Sequence, residues 1–347
     1  MINYISPGYY PFVKGGSENQ AKLVIDKLIE NKIDFKLLTL NFGNKKDYSI
    51  KEIHRLKLLG FFSNKLLIIT AILQYIFFKK NKSDIFIFQQ LTIVTFILIL
   101  LTRSENIFLR LSNSGDLFDF YKIIGKRRAG FIAKVLKVKI KKFISINPQI
   151  SEQLTSYNCD NFVEINNAVL SNKFILNNKF KLVLISRFKK HKNIQFVKKL
   201  FKSNYDIDIF GEEGDYYDHI KKICQKHPLI KINKPYKNKS VPFDYSKPVL
   251  IHPSFQEGTS NVVLEALSMG VPVICNNIKA NSIFGTKGEN GVFSIDVNHP
   301  NKWIECIDKL KNDALFYKKV SFNGSSFIEK NHSDKIIFSK FLDTVYG

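Results

Sequence analysis

Apolar and polar positions along the chain fall into short apolar runs separated by longer amphipathic stretches. In the first half the strand-like runs are Asn3–Ser6, Lys36–Leu40, Ile85–Phe88, Ile107–Leu111 and Phe143–Ile146. In the second half they are Leu182–Ile185, Ile207–Phe210, Val249–His252 and Val273–Cys275. Such β-branched and aromatic runs, alternating with helical patterns, predict parallel sheets covered by helices on both faces. The expected fold class is therefore α/β, in two Rossmann-like doubly wound units. The stretch Ser171–Asn178 is dominated by Asn and Lys, and no apolar period crosses it. The expected division is an N-terminal domain at 1–170, a linker at 171–178, a second domain at 179–330, and a C-terminal helix at 331–347 that packs back on the first domain. Two such units facing each other would share a cleft at the carboxyl ends of their strands.

The longest apolar runs, Leu66–Phe78 and Leu91–Leu101, are interrupted by Thr or Gln and fall short of a bilayer span. Buried helices are expected there. A length of 347 residues exceeds what one hydrophobic core usually fills, which agrees with two units. Hydrophobic residues at 45% and charged residues at 24% exclude a disordered chain.

The net charge of +23 calls for an anionic partner: nucleic acid, anionic lipid or a phosphorylated small molecule. An abundance of Lys alongside Asn, Ile and Phe also fits a general compositional bias. The chain carries no helix-turn-helix, zinc or RNA-binding strand signature, so nucleic acid is not an expected partner. Cys159, Cys224, Cys275 and Cys306 are scattered without metal-ligand spacing, which fits a reducing cytosol. The opening Met1–Ser6 lacks the basic start and cleavage site of a secretory signal, so a cytoplasmic location is expected.

The stretch from His252 to Ile274 reads as strand, loop, helix, tight turn and strand, with Ser260 as N-cap and Gly270 as the stop. A helix start beside a glycine-containing loop presents unpaired N–H groups that suit a phosphate. Gly258, Thr259, Ser260, Asn261 and Val262 form that corner. Glu257 and Glu265, seven residues apart, flank it. Carboxylates beside a phosphate make sense if they grip neutral hydroxyls, and a nucleotide sugar has hydroxyls on both sides of its diphosphate. Arg187 and Lys192 follow the first strand of the second unit, where fixed cations would stabilise a departing diphosphate.

The E-x(7)-E stretch from Glu257 to Glu265, the R-x(4)-K pair Arg187 and Lys192, and the Gly15-Gly16-Ser17-Glu18 loop together resemble the retaining glycosyltransferases of family 4 (glycosyl transferases group 1). The resemblance implies the GT-B architecture and spans most of the chain, most specifically Leu182–Asp296. It implies that Arg187 and Lys192 bind the donor diphosphate, Glu265 the ribose, and Glu257 hydroxyls of the transferred sugar. Gly15 and Gly16 would let the N-terminal backbone approach the phosphates. The chain departs from the family at Asn113, where many members have His; Asn113 or Ser112 would lie near the transferred sugar. In retaining members the leaving phosphate itself takes the acceptor proton.

The implied reaction is transfer of a hexose-type unit from a nucleotide diphosphate sugar to a glycan acceptor, lipid-linked, in cell-surface polysaccharide assembly. The alternatives are a nucleotide-sugar epimerase or phosphorylase on the same fold, or a basic nucleic-acid-binding protein. No cofactor beyond the nucleotide sugar and no catalytic metal are expected. The Asp206-Ile207-Asp208 triplet lies inside an expected strand rather than an exposed loop. Lys122–Lys142 holds nine basic residues and no acidic one, interleaved with Phe131, Ile132, Val135 and Leu136. Such a helix suits either an anionic membrane surface or a core face with solvated lysines.

Overall fold

The computed structural model describes every residue except 11–14, 41–52, 57–71, 73–74, 78–80, 113–124, 171–179, 213 and 234–246. The expected linker at 171–178, Asn113 and most of the run Leu66–Phe78 lie outside the described residues. The chain divides into two compact units: Met1–Asn167 with Ile337–Gly347, and Ala168–Ile336.

Unit 1 is built on β1 (Ile2–Ser6), β2 (Phe35–Leu40), β3 (Ile53–Leu56), β4 (Ile85–Gln89), β5 (Ile107–Leu111), β6 (Lys142–Ser145) and β7 (Phe162–Glu164). They form one seven-stranded parallel sheet in the order β3-β2-β1-β4-β5-β6-β7. Every residue of β1, β4 and β5 is buried, as continuous apolar strands require when both faces are covered. Helices α1 (Gly16–Glu30), α2 (Ile93–Leu101), α3 (Lys126–Lys139) and α4 (Pro148–Ser156) fill the crossovers. α2 opens on a capping box between Thr92 and Thr95, and α4 on Asn147, whose side chain accepts from the Ile150 N–H at 2.9 Å. One core layer joins Ile5, Phe86, Phe88 and Leu109 to Leu98 and Leu136 of the helices.

Unit 2 carries β8 (Phe180–Ile185), β9 (Ile207–Phe210), β10 (Ile230–Asn233), β11 (Lys247–His252), β12 (Val273–Asn276) and β13 (Val292–Ile295), parallel in the order β10-β9-β8-β11-β12-β13. Its helices are α5 (Tyr217–Cys224), α6 (Asn261–Ser268), α7 (Pro300–Asn312) and α8 (Ala314–Asn331); α9 (Asp334–Tyr346) closes the chain. Strand alternation sorts β11 between two cores. Val249 and Ile251 pack with Trp303, while Leu250 packs with Val263 and Leu267 of α6. His252, two residues past Leu250, therefore ends the strand on the α6 side.

The strand order reverses between β1 and β4 in unit 1 and between β8 and β11 in unit 2. In open parallel sheets, ligands bind outside the carboxyl ends of the strands at such a point. The strands absent from the sequence reading are β3, β7, β10 and β13, the four sheet edges. β7 is only half-buried throughout and β13 nearly so, which leaves no continuous apolar run to detect. Among the described residues no helix is long and apolar enough to cross a membrane.

Candidate active site

The unit 2 switch point is framed by the loops that leave β8 and β11. After β8, the buried Phe188 ring anchors the chain, and the N–H groups of Ser186 and Phe188 donate to Phe210 O (2.9 Å) and Glu212 O (3.2 Å). The loop after β9 passes close against this one because it carries glycine. A Cβ on Gly211 would collide with the Ser186 carbonyl oxygen, and one on Gly214 would lie 2.6 Å from that of Phe188. Lys190–Lys192 form a single 3-10 turn ended by Asn193 in the left-handed region, φ 49°. Asparagine tolerates that region better than other side-chain-bearing residues.

Asn193 also ties the two loops together. Its side-chain amide donates to Pro253 O at 3.1 Å, and the Phe255 N–H donates to His191 O at 2.9 Å. On the other side, Asn276 at the end of β12 donates to Ser254 O at 3.0 Å. The β11 loop is thus held from both neighbours, and this tether brings Lys192 and Glu257 into contact. Lys192 Nζ lies 2.7 Å from Glu257 Oε1. His252 Nε2 lies 3.0 Å from the same oxygen but off the line of a hydrogen bond.

Glu257 is buried at 7% exposure. Burial alone would raise its pKa, but the charge and contact of His252 and Lys192 override that and hold the carboxyl well below the usual range. His191 senses the same cluster. Burial and Lys192 push it down, Glu257 pulls the other way, and Lys189 and Arg187 add to the downward push. Arg187 itself is exposed and makes no ion pair with a described residue.

α6 begins at Ser260, which holds the N-cap position without a side-chain cap bond. Its carbonyl accepts from both Val263 and Leu264, at 3.1 and 3.2 Å. The N–H groups of Ser260 and Val262 donate to no described residue. Gly258 is half-buried and Thr259 buried in the turn that leads to them. The helix stops at Gly270, φ 70°, a backbone conformation open to glycine. Glu265, on the half-buried side of α6, has no hydrogen bond or ion pair from its carboxylate to any described residue. Burial raises its pKa to about 7.

Unit 1 carries a different set at its own strand reversal. Tyr4 donates to Gln89 Oε1 at 2.7 Å, Gln89 donates to Ser17 Oγ at 2.9 Å, and Ser17 Oγ meets Ser112 Oγ at 3.1 Å. Gly15, extended at φ −169°, is the N-cap of α1 and Gly16 its first residue, and the Glu18 carboxylate folds over Gly15. Arg110 of β5 is fully buried; one nitrogen donates to Asn167 Oδ1 at 3.0 Å, and its Nε has no partner. Burial lowers its pKa, opposed by Tyr4.

The two glutamates flank one helix start, and Lys192 reaches the first of them. The sequence reading assigned no role to His252 or Gln89. A titratable or amide side chain that ends a buried strand beside a loop rich in candidate chemistry is the signal that marks both. Asp208 lies inside β9 and pairs with Lys181 at 3.2 Å. Among the described residues no group of three or more His, Cys, Asp or Glu side chains is arranged to hold a metal ion.

Residues 169–326 match the family model described as glycosyl transferases group 1. The match lies within unit 2. The group 1 match covers the whole of the cluster just described. A curated relative, the capsular polysaccharide biosynthesis glycosyltransferase CapM of Staphylococcus aureus, is 25% identical over 200 residues, 53% of this chain and 50% of that protein. The match thus spans about half of CapM. Among solved structures, the chain is similar to sucrose-phosphate synthase from Thermosynechococcus elongatus, with TM-score 0.79 and 14% identity over 99% of this chain and 97% of that one. It is similar to the pneumococcal O-GlcNAc transferase GtfA solved with UDP and GlcNAc, at 0.77 and 12% over 99% and 98%. It is also similar to Anabaena HepE solved with UDP and glucose, at 0.75 and 13% over 100% and 99%. These likenesses establish the GT-B fold.

Proposed function

We propose that the protein is a retaining, metal-independent glycosyltransferase that moves a hexose-type unit from a nucleotide diphosphate sugar to a glycan acceptor. The observation that carries this reading is the cluster at the β8–β11 reversal. It comprises an exposed Arg187 with no ion pair to a described residue, a Lys192–Glu257 pair, the N–H groups of Ser260 and Val262, which donate to no described residue, and, one turn into α6, Glu265, whose carboxylate has no partner among the described residues. Arg187, Lys192 and the start of α6 suit the pyrophosphate, by charge and by helix dipole. Glu265 suits the ribose hydroxyls, because an acceptor-only group without a partner is satisfied by two donors from a sugar. Glu257 suits hydroxyls of the transferred sugar.

As the glycosidic bond breaks, charge builds on the pyrophosphate, and cations already fixed beside it stabilise that state more than the ground state. Support for the donor class comes from the UDP and sugars with which HepE and GtfA were solved. Support for a surface-polysaccharide acceptor comes from the name of CapM. A lipid-linked acceptor at the cytoplasmic face of a membrane is supported by α3. Phe131 and Val138 stand 67% and 88% exposed on one side of that helix, with Lys134 between them.

The experiment is a thermal-shift screen against UDP-, GDP-, ADP- and dTDP-sugars, followed by NMR of the product's anomeric configuration. Mass action predicts a rise in melting temperature for the cognate donor alone. A flat response to all four sinks the reading. Product formed from donor without acceptor would point to an epimerase instead.

A further inference from the structure

Glu257 is addressed by two nitrogens through one oxygen, and the two differ in freedom. Lys192 is a flexible ammonium on a four-carbon stem, with its side chain 16% exposed. His252 is a planar ring at the end of a buried strand, with its side chain 4% exposed. Lys192 makes the aligned bond at 2.7 Å. His252 Nε2 lies 3.0 Å from the same oxygen, near enough to act on the carboxylate but off the line of an aligned hydrogen bond. Such an atom carries a penalty unless some state of the protein satisfies it.

On the donor reading above, on which this inference rests, Lys192 serves two anions. A pyrophosphate at the start of α6 draws the ammonium toward it, and Glu257 then loses its aligned partner. A buried carboxylate left alone takes up a proton or turns away, and either change spoils its grip on sugar hydroxyls. The remaining cationic groups of the site, Arg187 and Lys189, lie with His191 on the β8 loop that carries Lys192, on the side from which the pyrophosphate competes. His252 comes from β11, behind Glu257 in sequence and fixed by the sheet.

We propose that His252 is a positioning residue: it takes over Glu257 when the donor's pyrophosphate engages Lys192, and so keeps that carboxylate ionised and aimed at the transferred sugar. Catalytic hydrogen bonds that are misaligned in a free enzyme commonly tighten only when substrate is bound. The role predicts a defect specific to the sugar half of the donor.

The test compares binding of UDP with UDP-glucose, and of GDP with GDP-mannose, by calorimetry on the full chain. In His252→Ala the nucleoside diphosphate is expected to bind within about twofold of wild type, while the matching nucleotide sugar weakens ~10-fold and kcat falls in step. His252→Gln, whose amide N–H can reach the same oxygen, is expected to restore most of both losses. If His252→Ala does not fold, His252→Leu fills the same space without a donor and carries the same expectation. Wild-type affinity for the sugar nucleotide in the alanine or leucine variant overturns the proposal. So does an equal loss for both ligands, or no recovery with glutamine. A wild-type protein that binds none of the four probes would instead bring down the donor reading itself.

Discussion

At the carboxyl ends of β1 and β4 the facing side chains are neutral, a relay from Tyr4 through Gln89 and Ser17 to Ser112. At the carboxyl ends of β8 and β11 they include the ionic groups Arg187, Lys192 and Glu257, with His252 beside them and, on α6, Glu265. Both places are strand reversals of the same kind of sheet, and both adjoin a helix start. In unit 1 that start is already covered by a carboxylate of its own, Glu18; in unit 2 the N–H groups of Ser260 and Val262 donate to no described residue. The difference teaches that a doubly wound sheet supplies a location and leaves the chemistry to a few side chains at the loop ends. On the proposed reading, it is the ionic reversal that takes the pyrophosphate.

The sharpest break in this contrast is Lys192→Ala. Removing the cation beside Glu257 is expected to cut turnover by ~10²–10³-fold, measured as kcat against a protein whose circular dichroism is unchanged. Retained activity would mean that the ionic cluster is structural. Gly211→Ala comes next. Its new methyl meets the Ser186 carbonyl oxygen, so the β8 loop must shift, at a cost of about 1–3 kcal/mol in chemical denaturation and with donor affinity falling alongside.

Glu265 gives a pH test. Below its ordinary value of 4.5 the carboxyl is protonated whether the chain is folded or not, and the burial costs nothing. As pH rises toward the folded value of about 7, the unfolded chain ionises first, so stability is lost across that window. Glu265→Gln should therefore exceed wild type in stability at pH 8, by on the order of 1–3 kcal/mol for this half-buried group, and match it at pH 4. Donor affinity of the wild type should rise through the same window, as the carboxylate forms. The smallest effect is expected in unit 1: Ser17→Ala removes one link of a neutral relay, worth about 1 kcal/mol of stability, and should leave donor affinity unchanged in calorimetry. A large loss of donor affinity there would erase the distinction between the two reversals.

The central strands of both sheets were legible because burial on two faces forces an unbroken apolar run, as in Ile85–Phe88 and Leu182–Ile185. The edge strands were not, because one side of each is relieved of packing: Ile230–Asn233 and Phe162–Glu164 mix polar and apolar residues as freely as a loop does. At the site, the spacing of Glu257 and Glu265 and of Arg187 and Lys192 could be read directly from the chain. The ion pair that joins Lys192 to Glu257 could not, since it depends on Asn193 turning left-handed and reaching Pro253, sixty positions away. His252 was visible only as the last residue of a strand, and its part in the cluster comes from the sheet's alternation.

Arg110 has a consequence for the way the chain leaves unit 1. Its guanidinium is sealed inside with no carboxylate partner among the described residues and leans on Asn167 Oδ1, with the Asn166 carbonyl oxygen at the limit of reach, 3.5 Å. Those two asparagines are the last residues before unit 2 begins. Rerouting the chain at these two asparagines would strand a cation in the interior of unit 1, so solvation of an internal charge constrains where the strand-to-strand path of that unit ends.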